Sequence, residues 1–102
     1  MKLLLVTALK AYKRSISKIM EQSGINAFSI TETSGFKGED SSNLLDSWFA
    51  SGDEFYDSIF LFSFTEEAKA EAAMHFIMDH NANVHPKFPI RAFIMPVEKA
   101  SH

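Results

Sequence analysis

The sequence has 102 residues and a formal net charge of −3, and 46% of the residues are apolar and 23% charged. These values fit one soluble globular domain, 1–102, and argue against a nucleic-acid partner, which would favour a basic chain. There is no Cys, which excludes disulfides and thiolate chemistry, and no apolar run approaches the roughly 20 residues of a membrane span, so we expect a cytoplasmic protein without direct membrane insertion.

The first half of the chain predicts a strand, a helix and a second strand. Residues 3–9 are apolar almost throughout, which is typical of a central strand that is covered on both faces. An amphipathic helix follows and ends at Gly24, and its apolar side is formed by Tyr12, Ile16, Ile19 and Met20. Apolar and polar residues alternate over 27–33, which predicts a strand that is buried on one face only.

A long insert, 34–54, separates this strand from the next one. Loops of this length are uncommon inside compact domains and are often functional. Four apolar residues would share one side of a short helix within the insert, and they are candidates for a partner-binding loop: Leu44, Leu45, Trp48 and Phe49. The alternative is that Trp48 and Phe49 fold back onto their own subunit or a neighbouring one.

The second half repeats the strand–helix–strand pattern. Residues 58–64 predict another central strand, and Thr65 is the expected N-cap of a helix that continues to about Asp79. The expected inner side of this helix consists of Ala68, Ala72, Ala73, Phe76 and Ile77. A turn-rich connection over 80–87 leads to a last short strand over 89–97.

The predicted order is βαββαβ, which favours an α+β ferredoxin-like sandwich with a long β2–β3 loop. Its antiparallel sheet order, 4-1-3-2, puts the two continuously apolar strands in the middle. Because both helices cover the same face, the apolar residues of the other face need a cover from another subunit.

No catalytic constellation is found, so a binding protein is favoured over an enzyme. Serine and threonine residues have no recognisable base beside them. The histidines are expected to be capping or solvated residues rather than metal ligands: His75, His80, His85 and His102. Most acids in and after the insert are expected to form a solvated rim.

Two stretches resemble PII signalling proteins. These are 2–36, which ends in Thr-Ser-Gly-Phe, and Arg91–Ala100, which contains Pro-Val-Glu-Lys-Ala. The resemblance implies a homotrimer that binds a small ligand, such as a nucleotide, in clefts between subunits. It also implies that 34–54 is a T-loop that contacts a target protein, such as a membrane transporter or a metabolic enzyme. By position, the residues that line the cleft are Thr7, Ser29, Gly35, Phe36, Lys37, Gly38 and Arg91.

The sequence departs from the PII pattern at the phosphate-binding loop. The glycine-rich segment is replaced by Val-His-Pro-Lys-Phe-Pro over 84–89, and proline lacks the N–H that a phosphate cradle needs. The family's C-terminal arginine pair is missing, and Lys37 replaces a turn glycine. An ATP- or ADP-like nucleotide and a different small ligand therefore both stay open. The alternative family is CutA-like, with copper, zinc or nickel bound through His80, His85 or His102 and the insert acids.

Overall fold

The computed structural model describes residues 1–36, 55–84 and 88–102, with the backbone alone at 34–36 and 55–56. The elements are β1 (Lys2–Leu9), a short 3-10 helix (Lys10–Tyr12), α1 (Lys13–Gln22), β2 (Ser29–Phe36), β3 (Phe55–Thr65), α2 (Glu67–Val84) and β4 (Arg91–Pro96). Among these described residues, no helix is both long enough and apolar enough to cross a membrane.

The four strands form one antiparallel sheet in the order β2-β3-β1-β4. Read from the other edge, this is the predicted order 4-1-3-2, so the α+β ferredoxin-like fold class is confirmed. The two central strands are β1 and β3, as their continuous apolar runs predict. Their register places Leu5 beside both Phe62 and Phe93, on one face of the sheet.

The core lies between the two helices and one face of the sheet. Alternate residues of the central strands point into it, and they are almost inaccessible to solvent: Leu4, Val6, Ala8, Ile59 and Leu61. The helices contribute Ile16, Ile19 and Met20 from α1 and Ala73 and Ile77 from α2. Removal of these side chains from water is the main stabilising term of the subunit, at about 25 cal/mol per Å² of apolar surface.

The end of α1 follows the sequence prediction. Gly24 has a φ of +78°, a conformation that glycine adopts without the steric cost of a Cβ. The turn is closed by backbone bonds, including one from the Ile25 N–H to the Met20 carbonyl at 2.9 Å. The Ser23 hydroxyl adds a bond of 2.7 Å to the Ile19 carbonyl. These bonds satisfy carbonyls that the helix end would otherwise leave unpaired.

The ladder between β2 and β3 is longer than the sequence predicts. Its last pairs are Gly35 with Tyr56 and Phe36 with Phe55, so residues 34–36, which we assigned to the insert, belong to a strand. Cross-strand backbone bonds outweigh the turn preference of Gly35 here. The remaining insert predictions lie outside the described residues, among them Lys37, Gly38, Leu44, Leu45, Trp48 and Phe49.

Helix α2 differs from its prediction at both ends and at one residue of its inner side, Ala68, whereas the predicted inner residues Ala73 and Ile77 are buried. Thr65 is not the N-cap, because it is the last strand residue and pairs with Lys2, and the first helical acceptor is the Glu66 carbonyl, bonded by the Ala70 N–H at 3.0 Å. The helix runs to Val84 rather than to Asp79, so residues 80–84, which we assigned to the connection, belong to the helix. The buried side is Ala70, Ala73 and Ile77, whereas Ala68 is exposed.

Candidate functional site

The sheet face opposite the helices carries a group of apolar side chains, which we call the open face. Its members alternate with the core residues along β1, β3 and β4: Leu3, Leu5, Phe60, Phe62, Phe64, Phe93 and Met95. Phe62 and Phe64 are 36% and 56% exposed, and their ring centroids are 6.3 Å apart. No helix of the described chain covers this surface, and contiguous exposed apolar patches of this kind commonly mark interaction sites.

Two of the predicted cleft residues, Thr7 and Arg91, are neighbours on this face. They pair across β1 and β4, and Thr7 also pairs with Phe60 of β3. Thr7 is only 3% exposed, and Arg91 is half-buried. The Arg91 Nε atom is buried and finds no hydrogen-bond partner within the described ranges. A guanidinium with an unsatisfied donor is suited to an anionic group, since arginine binds carboxylates and phosphates through its fork of N–H groups.

Ser29 lies on the opposite edge of the sheet. It pairs with Phe62 on β3, so two strands separate it from Arg91, and the edges are about 14 Å apart at normal strand spacing. It lines a surface pocket of about 420 Å³ together with Asn26, Ala27, Phe28, Phe62, Ser63 and Phe64. A single chain therefore does not bring Ser29 together with Thr7 and Arg91.

No sequence motif pointed to a site at Phe62, Phe64 or Asn26. The continuous apolar run over 58–64 was a usable signal for the two phenylalanines, because residues two apart lie on one face of a strand. A larger cavity of about 560 Å³ adjoins the Ser29 pocket and shares Asn26, Ala27, Ser63 and Phe64 with it. Two of the shared residues are bonded to each other, since the Ser63 hydroxyl donates a 2.7 Å bond to the Ala27 carbonyl.

The other predicted cleft residues lie at the far end of the β2–β3 ladder. Gly35 and Phe36 are placed there by their backbone pairing with β3, and Lys37 and Gly38 lie outside the described ranges. Thr7 lies nearer to that end of the sheet than Ser29 does. Its partner on β3 is Phe60, whereas the partner of Ser29 is Phe62, which is two residues further from Tyr56. The structure thus brings Thr7 and Arg91 together and leaves the remaining assignments as predictions.

A charged cluster lies near the base of the insert. Lys10 Nζ is 2.6 Å from Glu32 Oε1, and both side chains are more than half exposed. The hydrogen bond and charge of Lys10 lower the pKa of Glu32, and those of Glu32 raise the pKa of Lys10. Beside this pair, Glu32, Thr33, Asp57 and Ser58 line a shallow pocket of about 300 Å³. The Ser58 Oγ atom is buried and unpartnered within the described part of the chain.

The histidines do not converge. His75 Nε2 lies 3.4 Å from Asp79 Oδ2 on the exposed side of α2. The His80 ring instead packs edge-on against Tyr12, with centroids 5.6 Å apart. His85 lies outside the described ranges, and His102 is exposed at the chain end. Among residues 1–36, 55–84 and 88–102, no three His, Cys, Asp or Glu side chains form a group that could hold a metal ion.

Comparison with solved structures identifies the fold. No protein-family model matches the sequence, and a search of curated proteins gives no match. A PII-like signalling protein from Thermus thermophilus has a TM-score of 0.57 and 20% identity, over 94% of this chain and 85% of that one. A DUF3240 family protein from Shewanella baltica has a TM-score of 0.65 and 17% identity, over 99% and 93% of the two chains.

A third similar structure contains ligands. It is CPII from Thiomonas intermedia K12 bound to ADP, AMP and acetate, with a TM-score of 0.64 and 13% identity over 92% of this chain and 82% of that one. CPII is also described as a nitrogen regulatory PII-like protein. At these identities the likeness defines the fold: the chain has the ferredoxin-like fold of PII-like signalling proteins, as the sequence resemblance predicts.

Proposed function

We propose that this protein is a PII-like regulator that acts as a homotrimer in the cytoplasm. The observation that carries the proposal is the open face, whose apolar side chains have no covering helix among residues 1–36, 55–84 and 88–102. A second copy of the same face is the simplest cover, and three copies around a threefold axis would bury all of them.

Assembly would also complete the ligand site. Thr7 and Arg91 lie toward one edge of the sheet and Ser29 at the other, so a small molecule bound between two subunits could contact both sets, one from each subunit. Arg91 would bind an anionic group, and Phe62 and Phe64 lie beside Ser29. The ADP and AMP bound to CPII support a nucleotide as the first candidate. The proline-containing segment 84–89 would contribute fewer backbone N–H groups than a glycine-rich loop.

In this proposal the insert transmits the ligand signal. Residues 37–54 follow Phe36 in the chain and connect β2 to β3, and the resemblance to PII proteins implies that Gly35 and Phe36 line the cleft. A ligand held there would alter the insert, and Leu44, Leu45, Trp48 and Phe49 would contact the target protein. The CutA-like alternative has no group of potential ligands in its favour among the described residues.

The first test measures the mass of the particle. Sedimentation equilibrium of the wild-type protein at micromolar concentration should give the mass of three subunits. Phe62→Glu should give single subunits with an unchanged far-ultraviolet spectrum, because a charge on the open face cannot be buried in an interface without a partner. Met78→Glu is the matched control, since Met78 is 62% exposed on α2. A single-subunit mass for the wild type contradicts the proposal.

The second test concerns the ligand. Isothermal titration with ADP should show binding that Arg91→Gln weakens by at least about tenfold, as expected when an arginine loses a charge-assisted bond to phosphate. Arg14→Gln, at an exposed position on α1, should bind as the wild type does. Emission from Trp48, the only Trp of the chain, should change on binding. Equal ADP affinities for the Arg91 and Arg14 variants would remove Arg91 from the site.

A further inference from the structure

The Asn81 side chain forms a two-point contact with the chain just before β4. Its Nδ2 donates to the Ile90 carbonyl at 2.8 Å, and its Oδ1 accepts from the Ile90 N–H at 3.0 Å. A side-chain amide offers one donor and one acceptor side by side, as a backbone peptide of a neighbouring strand does. Asn81 therefore pairs with Ile90 in the way that a strand partner would.

Ile90 needs such a partner because of its place in the fold. Along β4 the ladder with β1 begins at Arg91, which pairs with Thr7, so Ile90 lies just before the first backbone pair of an edge strand. The Ile90 side chain is 2% exposed, and unpaired backbone groups at a buried position cost stability. The preceding residue, Pro89, has no N–H to offer. The Asn81 amide thus satisfies the N–H and the carbonyl at this point.

The contact fixes the residue that follows. Arg91 is bonded covalently to Ile90, and its half-buried side chain has a buried Nε atom without a partner in the described ranges. The direction of its Cα–Cβ bond depends on the backbone orientation at Ile90, which α2 controls through Asn81. We propose that Asn81 is a positioning residue that holds Arg91 in its ligand-binding orientation beside Thr7. The ligand-binding part of this inference rests on the proposed function.

The contact depends on the length of α2. The helix continues past Asp79 and carries Asn81 to a position within hydrogen-bond distance of Ile90. His80, the preceding residue, packs against Tyr12 at the same end. These two contacts connect the end of α2 to the chain before α1 and to the start of β4. A ligand that engages Arg91 would therefore encounter a side chain that is held by the helix layer and not only by its own edge strand.

The test compares Asn81→Ala with Asn83→Ala, which removes the same group from an exposed position on the same helix end. The readout is the rate at which the Arg91 Nε–H exchanges with water, measured by nitrogen-15 NMR well below the unfolding temperature. We expect exchange at least about tenfold faster in Asn81→Ala and unchanged in Asn83→Ala, since loss of both bonds frees the start of β4. Equal exchange rates in the two variants overturn the inference.

A second variant guards against failure to fold. Asn81→Asp keeps an acceptor for the Ile90 N–H and loses the donor to the Ile90 carbonyl, so its exchange rate should lie between those of the wild type and Asn81→Ala. A rate equal to that of the wild type in this variant also counts against the inference.

ADP titration then separates this inference from the proposed function. If both hold, Asn81→Ala and Arg91→Gln each weaken ADP binding, and the double variant binds no more weakly than Arg91→Gln alone. Additive losses mean that Asn81 only stabilises the fold, which contradicts positioning. If the wild type does not bind ADP but the Nε–H exchange responds to Asn81→Ala, the nucleotide proposal fails while the control of Arg91 by Asn81 stands.

Discussion

The two faces of β3 carry similar residues in different surroundings. Leu61 points into the core and is fully buried, whereas Phe62, the next residue, points to the open face and is 36% exposed. An antiparallel sheet with one solvated face normally alternates apolar and polar residues. Here apolar residues occupy both faces of the central strands, but the described chain supplies helices for only one of them. Residues on the core face, such as Leu61, therefore stabilise the subunit itself, whereas those on the open face, such as Phe62, remain accessible to another molecule.

The two edges of the sheet differ as well. On the side of the open face, the β2 edge carries Ser29, Thr31 and Thr33, which are polar, and the β4 edge carries Arg91, Phe93 and Met95. A polar edge and an edge with one cation and two apolar residues are unlike each other. This asymmetry suits a head-to-tail contact between subunits, which closes into a ring, better than a contact that repeats one edge against itself.

The largest expected effect comes from substitutions at the two neighbouring residues of β3. Leu61→Ala should lower the free energy of unfolding by about 2–5 kcal/mol at every protein concentration, because it leaves a cavity inside the subunit. Phe62→Ala should cost about 0.5 kcal/mol or less in dilute protein, where the side chain is at a surface. Its cost should rise with protein concentration if neighbouring subunits cover it. Urea unfolding at several concentrations measures both.

Two outcomes for Leu61→Ala and Phe62→Ala would contradict the assignment of one face of β3 to the core and the other to the open face. Equal losses that do not depend on concentration would mean that Phe62 is held within its own subunit. If only the stability loss of Leu61→Ala depended on protein concentration, the subunit interface would lie on the core face and not on the open face. Either result contradicts the assignment of the two faces, and the first also contradicts the homotrimer proposal.

The fold could be predicted from the sequence because periodicity and turn residues are local signals. Continuous apolar runs identified β1 and β3 as central, and Gly24 marked the end of α1. The residues of α2 that face the core were predicted less well, at its first turn in particular. Four alanines between 68 and 73 give little contrast between its sides, so the prediction puts Ala68 on the inner side, where the structure buries Ala70. Which alanine is buried depends on where the strand ends, and that is a tertiary property.

The candidate site was only partly predictable. Thr7 and Arg91 become neighbours through strand register, which the predicted topology contains in outline. The contact of Asn81 with Ile90 has no periodic pattern in the sequence, because it joins a helix end to a strand start through one side chain. The predictions for Lys37, Gly38 and the apolar residues of the insert concern positions outside the described ranges.

A smaller effect is expected on the helix side of the core. Ala73→Leu should lower the free energy of unfolding by about 1–3 kcal/mol, because Ala73 is fully buried and extra methylene groups strain a packed interior. Ala68→Leu is the matched control and should change it little, since Ala68 is exposed on the same helix. Thermal unfolding of both variants provides the measurement. A larger loss for Ala68→Leu than for Ala73→Leu would contradict the burial of Ala73 and the exposure of Ala68.

The smallest effect is expected at the exposed ion pair between Lys10 and Glu32, at the edge of the sheet face that carries the helices. Because the folded chain lowers the pKa of Glu32 from 4.5, this carboxylate contributes stability above that pH, and the contribution is lost as the pH falls through the folded value. Lys10, with a pKa raised from 10.5, contributes below that pH and loses its contribution as the pH rises through its folded value. The pair therefore acts across the neutral range.

Glu32→Gln should lower stability slightly at neutral pH and have no effect in strong acid, where the wild-type carboxyl group is also uncharged. Exposure keeps the loss small, since solvent and salt screen an ion pair at the surface. Glu21→Gln, on the exposed side of α1, is the matched control and should change the urea midpoint little. Differences in the urea midpoint at neutral and acidic pH measure this. If Glu32→Gln lowers stability by the same amount in acid as at neutral pH, Glu32 contributes through packing and not through its charge.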